Sequence, residues 1–376
     1  MNILLQLKEH GQSVWLDDID RDLIHGGGLK RMVDEGEICG ITTNPVILAY
    51  AISSDAEYAR DLRALLRQGH APAAAYEKLL IREIRAAADI LHPVYETTYR
   101  RDGYVSLQIA PALADDTVGT IAETRRLWRA VGRENLLIKI PATEAGIPAI
   151  TQLTAEGINV NVTLLFSQAL YERTAQAYLD GLEQLIARGG NPALVAGVAS
   201  VFISRLDTAV DAIISSHLNQ CGWIKTYNAL ERESLRNLSG KVAIANAKIA
   251  YERQQAIFSG PRWDALAAQG AQKQRILWAS TRIKNPAYRN VKYIEELIGP
   301  DTVTAISPAT LAAFRERGRV RPSLREDVAS AAALLSTLKT LRISLDDIAS
   351  RLLSGGVKQF STAHEEFVNA IPQPLP

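Results

Sequence analysis

Eight short segments rich in Val, Ile and Leu recur along the chain with helical patterns between them, and this alternation narrows the fold more than any other feature. They read SVWLDDI from Ser13, ICGITT from Ile38, YVSLQI from Tyr104 and NLLIKIP from Asn135, then INVNVTLL from Ile158, LVAGVASVFI from Leu194, RILWAS from Arg275 and TVTAIS from Thr302. Several are apolar throughout, as strands covered on both faces of a parallel sheet must be. Between them, Leu80, Ile84, Ala87 and Leu91 recur at helical spacing, and His92-Pro93 is expected to stop that helix. Another helix is expected after Gly240, with Val242, Ala245 and Ile249 on one face and Ser259-Gly260-Pro261 at its end. The intervals from Asn44 to Gly103 and from Ser204 to Gln274 are too long for one crossover each and leave room for extra helices. The expected fold is α/β, a (β/α)8 TIM barrel with additional N-terminal, inserted and C-terminal helices. An open doubly wound sheet is the rival, but no GxGxxG or GxxxxGK[ST] follows any strand.

Beyond the last strand, Ser323-x-x-Glu326 and Ser344-x-x-Asp347 read as helix-opening capping boxes, and Val328, Ala331, Leu335 and Leu338 give the first of these helices an apolar face. The expected division is a barrel over 1–322 and a helical extension over 323–376 packed on it. Charge adds little direction: 42 Lys and Arg against 41 Asp and Glu leave a formal +1, so no basic field points to nucleic acid or a membrane surface. The longest strongly apolar run, Leu194–Ile203, is far short of the roughly 20 residues that span a bilayer. Cys39 and Cys221 cannot build a disulfide framework and fit a reducing compartment, and the N-terminus carries no secretory pattern, so a cytoplasmic location is expected.

Three local patterns carry less than they suggest. His25-Gly26-Gly27-Gly28 resembles an oxyanion loop but lacks a GxSxG nucleophile, and reads better as a turn. Asp18-x-Asp20-x-Asp22 opens like a calcium loop, yet Leu23 and Leu29 occupy the positions that need Gly and Glu. The six histidines show no metal-ligand spacing, so no metal and no organic cofactor is expected.

Chemistry in such barrels sits at the C-terminal ends of the strands. The polar residues there are Asp17, Thr43-Asn44, Ser106 and Gln108, Lys139, Asn159, Asn161 and Thr163, Ser200, Ser280 and Ser307, with Arg205 and Arg282 just beyond strands six and seven. Lys139 stands out within Leu136–Pro141, where burial would strip hydration from its charged form and leave a nucleophilic amine. Taken alone, a lysine snorkelling to solvent or pairing with a carboxylate is the better reading. Asp17 as a proton shuttle, and two guanidinium forks suited to a phosphate, turn the balance toward Schiff-base chemistry.

Five blocks, in order, then resemble the transaldolases of the longer bacterial type over about residues 10–320: Thr42-Thr43-Asn44-Pro45, the stretch from Leu137 to Thr143, Gly157-Ile-Asn-Val-Asn-Val-Thr-Leu-Leu-Phe-Ser167, Ala279-Ser280-Thr281-Arg282 and Ile306-Ser307-Pro308-Ala309. The resemblance implies that Lys139 forms an imine with a ketose C2 carbonyl and that Asp17 takes the C4 hydroxyl proton. It implies that Asn44, Asn161 and Ser200 bind hydroxyls, that Thr163 positions a water, and that Arg205, Arg282 and Ser280 grip a terminal phosphate. The implied reaction moves dihydroxyacetone from sedoheptulose 7-phosphate to glyceraldehyde 3-phosphate, giving erythrose 4-phosphate and fructose 6-phosphate, in the pentose phosphate pathway. Phosphorylated ketoses and aldoses are thus the expected partners. One position departs. The family usually carries Glu where Gln108 stands, and an amide orients a water but does not exchange a proton at neutral pH. Related fructose-6-phosphate aldolases carry Gln there with a Tyr acid/base, where this chain has Phe202. An aldolase-like or altered-acceptor enzyme, or a weakly active sugar-phosphate binder, is therefore the alternative.

Overall fold

In the computed structural model, residues 2–43, 55–219 and 227–370 are described. Eight parallel strands close a barrel in chain order: β1 (Gln12–Leu16), β2 (Gly40–Thr42), β3 (Tyr104–Gln108), β4 (Leu136–Pro141), β5 (Val160–Leu165), β6 (Gly197–Phe202), β7 (Arg275–Ala279) and β8 (Thr302–Ile306). β1 closes on β8 with Gln12 opposite Thr302 and Leu16 opposite Ile306. Each of the eight expected segments overlaps one of these strands, and every residue of the strands themselves is buried, which explains their continuous apolar character. The two long intervals hold extra helices, Ala56–Arg67 and Pro72–Thr97 in the first and Ala229–Leu238, Val242–Ile257 and Pro261–Ala267 in the second. The helix expected after Gly240 is the Val242–Ile257 one, and Pro261 opens the next.

Two boundaries differ from the sequence reading. The Pro72–Thr97 helix runs through Pro93 for one further turn. Proline removes a donor and crowds the preceding turn, at a cost of about 3 kcal/mol. Continuing the helix buries Tyr95 edge-on against Tyr104, with ring centroids 5.3 Å apart, and the Thr97 and Thr98 hydroxyls donate to the Pro93 and Val94 carbonyls of that last turn. Likewise Ser323 does not open the helix expected of it. Its hydroxyl accepts from the Ile298 amide, a short 3-10 turn follows, and the helix starts at Val328 after Asp327 in a left-handed conformation. Ser344 does cap, accepting from the Asp347 amide at 3.2 Å at the start of the Leu345–Ala370 helix.

The N-terminal end of the barrel is plugged. Asp102, just before β3, accepts from Ser13 Oγ at 2.7 Å, Trp15 Nε1 at 3.1 Å and Arg275 at 2.9 Å, while Arg275 also donates to Ser13 at 2.8 Å. Gly40 makes room for the Trp15 ring, since a Cβ there would lie 2.6 Å from it. This closed end forces any ligand to enter from the other.

Across that other end lies the Leu345–Ala370 helix, hereafter the C-terminal helix. It packs on β5, on the Ser204–Leu218 helix, on the 3-10 turn Pro111–Leu113 and on the Pro72–Thr97 helix, so it crosses the ends of several strands. Gly356 allows the approach: a Cβ there would come within 2.9 Å of Leu164 Cδ2. No single helix among the described residues is long and apolar enough to cross a membrane.

Candidate active site

Strand alternation puts Ser13, Trp15 and Asp17 on one face of β1, so the strand that plugs the lower end also delivers a carboxylate to the mouth. On β4 the same alternation turns Lys139 inward. Its Nζ donates to Thr42 Oγ1 at 3.1 Å and to the Thr43 carbonyl at 3.2 Å, and the residue is only 5% exposed. Among the described residues no carboxylate stands in ion-pair contact with it, which removes the bland reading of a salt-bridged or snorkelling lysine. Burial pushes its pKa below the ordinary lysine value; Asp17 opposes that shift, and Arg205 adds to it.

Asp17 is enclosed by protein yet keeps part of its surface open to the mouth. Burial raises its pKa, against the opposing pull of Lys139 and Arg205. Local capping in the acidic cluster is done by its neighbours: Asp20 accepts from the Leu23 amide and Asp18 from the Ile19 amide. Asp17 is left for the barrel interior. The carboxyl and the amine thus form a coupled pair whose proton affinities burial draws toward one another. On the acid side, protonation of the amine removes its nucleophilicity.

That coupling has a signed consequence. Because Asp17 is the influence that raises the Lys139 pKa, Asp17→Asn lets it fall further, and the acid limb of any reaction that needs the free amine moves to lower pH. A reaction at this mouth that uses the carboxyl to accept a proton is expected to slow about 10²–10⁴-fold at the same time. Trapping rate and kcat measured across pH 5–9 check both parts, and an acid limb displaced upward contradicts the pairing.

Around the pair, Asn161 sits opposite Lys139 in the β4–β5 register and Gln108 opposite it in the β3–β4 register. Asn161 donates to Ser106 Oγ at 3.0 Å and accepts from Ser200 Oγ at 2.7 Å, which fixes the amide while leaving one donor and one acceptor site free. Gln108 is 7% exposed, and neither atom of its amide has a hydrogen-bond partner among the described residues; the Thr163 hydroxyl has none either. Native structures seldom leave such groups orphaned unless a ligand or water uses them. A cavity of about 130 Å³ adjoins Gln108, lined also by Thr43, Tyr76 and His364, with room for several waters. A larger cleft of about 700 Å³ lies away from the mouth among Glu172, Arg253 and Leu335 and carries no comparable chemistry. Asn44 lies outside the described residues.

Backbone strain marks two of these strand ends. Leu164, beside Thr163, has φ 63° where β5 shifts register against β6, and Ser280 has φ 55° at the end of β7. A left-handed conformation in a non-glycine residue costs on the order of 1–3 kcal/mol and persists where its surroundings impose it. At Ser280 the surroundings are visible: its carbonyl accepts from the Ser204 amide at 2.9 Å and its hydroxyl pairs with that of Ser204 at 2.9 Å. β7 is thereby joined to the residue preceding Arg205.

Arg205 is half-buried and Arg282 exposed. Lys284, on the same loop as Arg282, joins them, its pKa lowered by lost hydration and then by repulsion from Arg205 and Arg282. Among the described residues none of the three has an ion-pair partner, and the carboxyl whose charge reaches this cationic corner is that of Asp17, acting on Arg205. Nothing in the sequence around Lys284 sets it apart from an ordinary loop lysine; only its position in space does. Among the described residues no three His, Cys, Asp or Glu side chains gather as metal donors.

The chain matches the family model described as Transaldolase/Fructose-6-phosphate aldolase over residues 14–371. It is 44% identical to Transaldolase 2 of a Nostoc species, over 99% of this chain and 97% of that protein. It is 44% identical to a transaldolase of Thiobacillus denitrificans, over 99% of this chain and 100% of that one, and 40% identical to a transaldolase of Neisseria gonorrhoeae over 98% and 99%.

Proposed function

Because the chain belongs to the transaldolase/fructose-6-phosphate aldolase family, we propose that the barrel mouth carries out dihydroxyacetone transfer through a Schiff base on Lys139. The observation that carries this reading is the uncharged setting of that amine: buried, donating only to neutral oxygens, and within the electrostatic reach of one carboxyl. Lys139 attacks the C2 carbonyl of the ketose phosphate, and loss of water from the carbinolamine leaves the imine. Asp17 takes the C4 hydroxyl proton as the C3–C4 bond breaks, the electron pair passing into the protonated imine to give a neutral three-carbon enamine. The aldose phosphate leaves. The enamine carbon then attacks the carbonyl of the acceptor aldose, Asp17 returns the proton to the new hydroxyl, and water releases the product ketose.

The other residues hold the reacting atoms in place. Asn161, fixed by Ser106 and Ser200, offers its remaining donor and acceptor to the hydroxyls of the three-carbon unit, with Ser200 alongside. Asn44 is assigned a like role from the resemblance alone. The unpartnered Thr163 hydroxyl and Gln108 amide orient the water used in carbinolamine formation and imine hydrolysis. Gln108 does so as a positioning group, leaving net proton transfer to Asp17. Arg205, Arg282 and Ser280 take the terminal phosphate, since guanidinium forks match its oxygens and neither arginine is held in an ion pair among the described residues.

Transfer requires an acceptor. With sedoheptulose 7-phosphate and glyceraldehyde 3-phosphate supplied together, erythrose 4-phosphate and fructose 6-phosphate are expected to form in equal amounts. With the donor alone, at most one aldose per active site is expected. Continuous release of free dihydroxyacetone without acceptor makes the enzyme an aldolase instead.

A further inference from the structure

The cationic corner has a wall that the barrel does not supply. The Arg205 guanidinium lies 5.6 Å from the ring centroid of Phe202 at the end of β6 and also 5.6 Å from that of Phe360. Two aromatic rings from separate elements thus lie against one guanidinium. Phe360 belongs to the C-terminal helix and is 3% exposed, a depth it reaches only because that helix lies across the mouth. We propose that Phe360 is a positioning residue for phosphate recognition, stacking on Arg205 so that its donors face the terminal phosphate of the sugar.

The physical need follows from the neighbours. Burial already disfavours the charged form of Arg205, and the one opposing influence is the carboxyl of Asp17. An arginine free to swing would be drawn to that carboxyl, losing its aim at phosphate and holding Asp17 ionised when it must hand back a proton. A stacked aromatic face holds a guanidinium by its π surface and leaves all of its N–H groups unspent. Phe360 thereby separates two functions that share one small space: proton transfer at Asp17 and anion recognition at Arg205. The inference rests on the reading of Arg205 as a phosphate ligand.

The test compares donors with and without phosphate. Phe360→Leu keeps an apolar side chain on the helix but loses the π face, whereas Phe360→Tyr keeps it. For Phe360→Leu, KM for fructose 6-phosphate is expected to rise about tenfold with kcat changed less than about twofold. The preference for fructose 6-phosphate over unphosphorylated fructose, as a ratio of kcat/KM, falls by the same factor. Competitive inhibition by inorganic phosphate weakens in step, and Phe360→Tyr restores all three. Equal losses for both donors, or failure of the tyrosine variant to restore the ratio, mean that the ring only supports packing and overturn the proposal. Should the unsubstituted enzyme show no preference for the phosphorylated donor, the phosphate corner itself is misread and the proposal falls with it. A preference that survives unchanged in Phe360→Leu overturns the role of Phe360 alone.

Discussion

Replacing Lys139 by methionine is expected to lower kcat for dihydroxyacetone transfer by about 10⁴-fold or more while leaving the fold intact. Methionine fills a similar volume, and the change removes a buried, partly desolvated amine rather than adding one. What is lost structurally is two hydrogen bonds, to Thr42 Oγ1 and the Thr43 carbonyl. Those acceptors cost at most about 1–3 kcal/mol each when left unpaired, and the relief of a desolvated ammonium offsets part of it. What is lost chemically is the covalent path. Among the described residues Lys139 is the amine whose charge acts on Asp17, and loss of a covalent nucleophile removes rate on this scale. The expected pattern is near-normal melting temperature with near-zero transfer, measured by thermal unfolding and by a coupled assay on the same preparation. Parallel losses of stability and rate contradict the assignment.

The opposite pattern is expected at the other end of the barrel. Asp102→Ala leaves the Arg275 guanidinium with only the Arg101 carbonyl and the Ser13 hydroxyl as partners, at a position where both side chains of the pair are about a tenth exposed or less. Breaking such a buried pair typically costs about 3–5 kcal/mol, because one charge stays buried without its counterpart. For a chain of 376 residues that corresponds to a melting temperature lower by about 5 °C. The kcat measured well below the transition is expected to stay within about twofold, since the plug does not touch substrate. Removing both charges together, with Asp102→Leu and Arg275→Met, should recover most of the lost stability, as an apolar pair of similar volume replaces an ionic one. A double variant no more stable than the single one shows that the plug's worth lies in packing around Trp15 instead.

The barrel itself was legible because its rule is simple. A strand buried on both faces is expected to be apolar throughout, so exceptions toward its C-terminal end, such as Gln108, Lys139, Asn161 or Thr163, stood out as candidates for chemistry, while polar residues at the other end, such as Ser13 and Arg275, serve the plug. The site residues on strands could be named for that reason. Features set by packing between distant segments could not. Pro93 is a sound helix stop locally, and only the Tyr95–Tyr104 contact makes the extra turn favourable. Ser323 carries the right spacing for a cap, but its hydroxyl is taken by Ile298, which no local pattern reveals. The C-terminal helix shows an apolar face without saying what it covers, so the meeting of Phe360 with Arg205 was invisible. The same holds for Lys284, drawn into the cationic corner by the course of a loop. Sequence periodicity reports that a face is buried; it does not report against what.

Dihydroxyacetone transfer at this mouth depends on one covalent bond. Incubation with fructose 6-phosphate and sodium borohydride, followed by peptide mapping, is expected to place a reduced three-carbon adduct on Lys139, one per chain. Asp17→Asn should slow the carbon–carbon cleavage, so that a six-carbon adduct accumulates on the same residue. Lys139→Met should take up none. Label on another lysine, or full transfer activity with no label on Lys139, contradicts the mechanism.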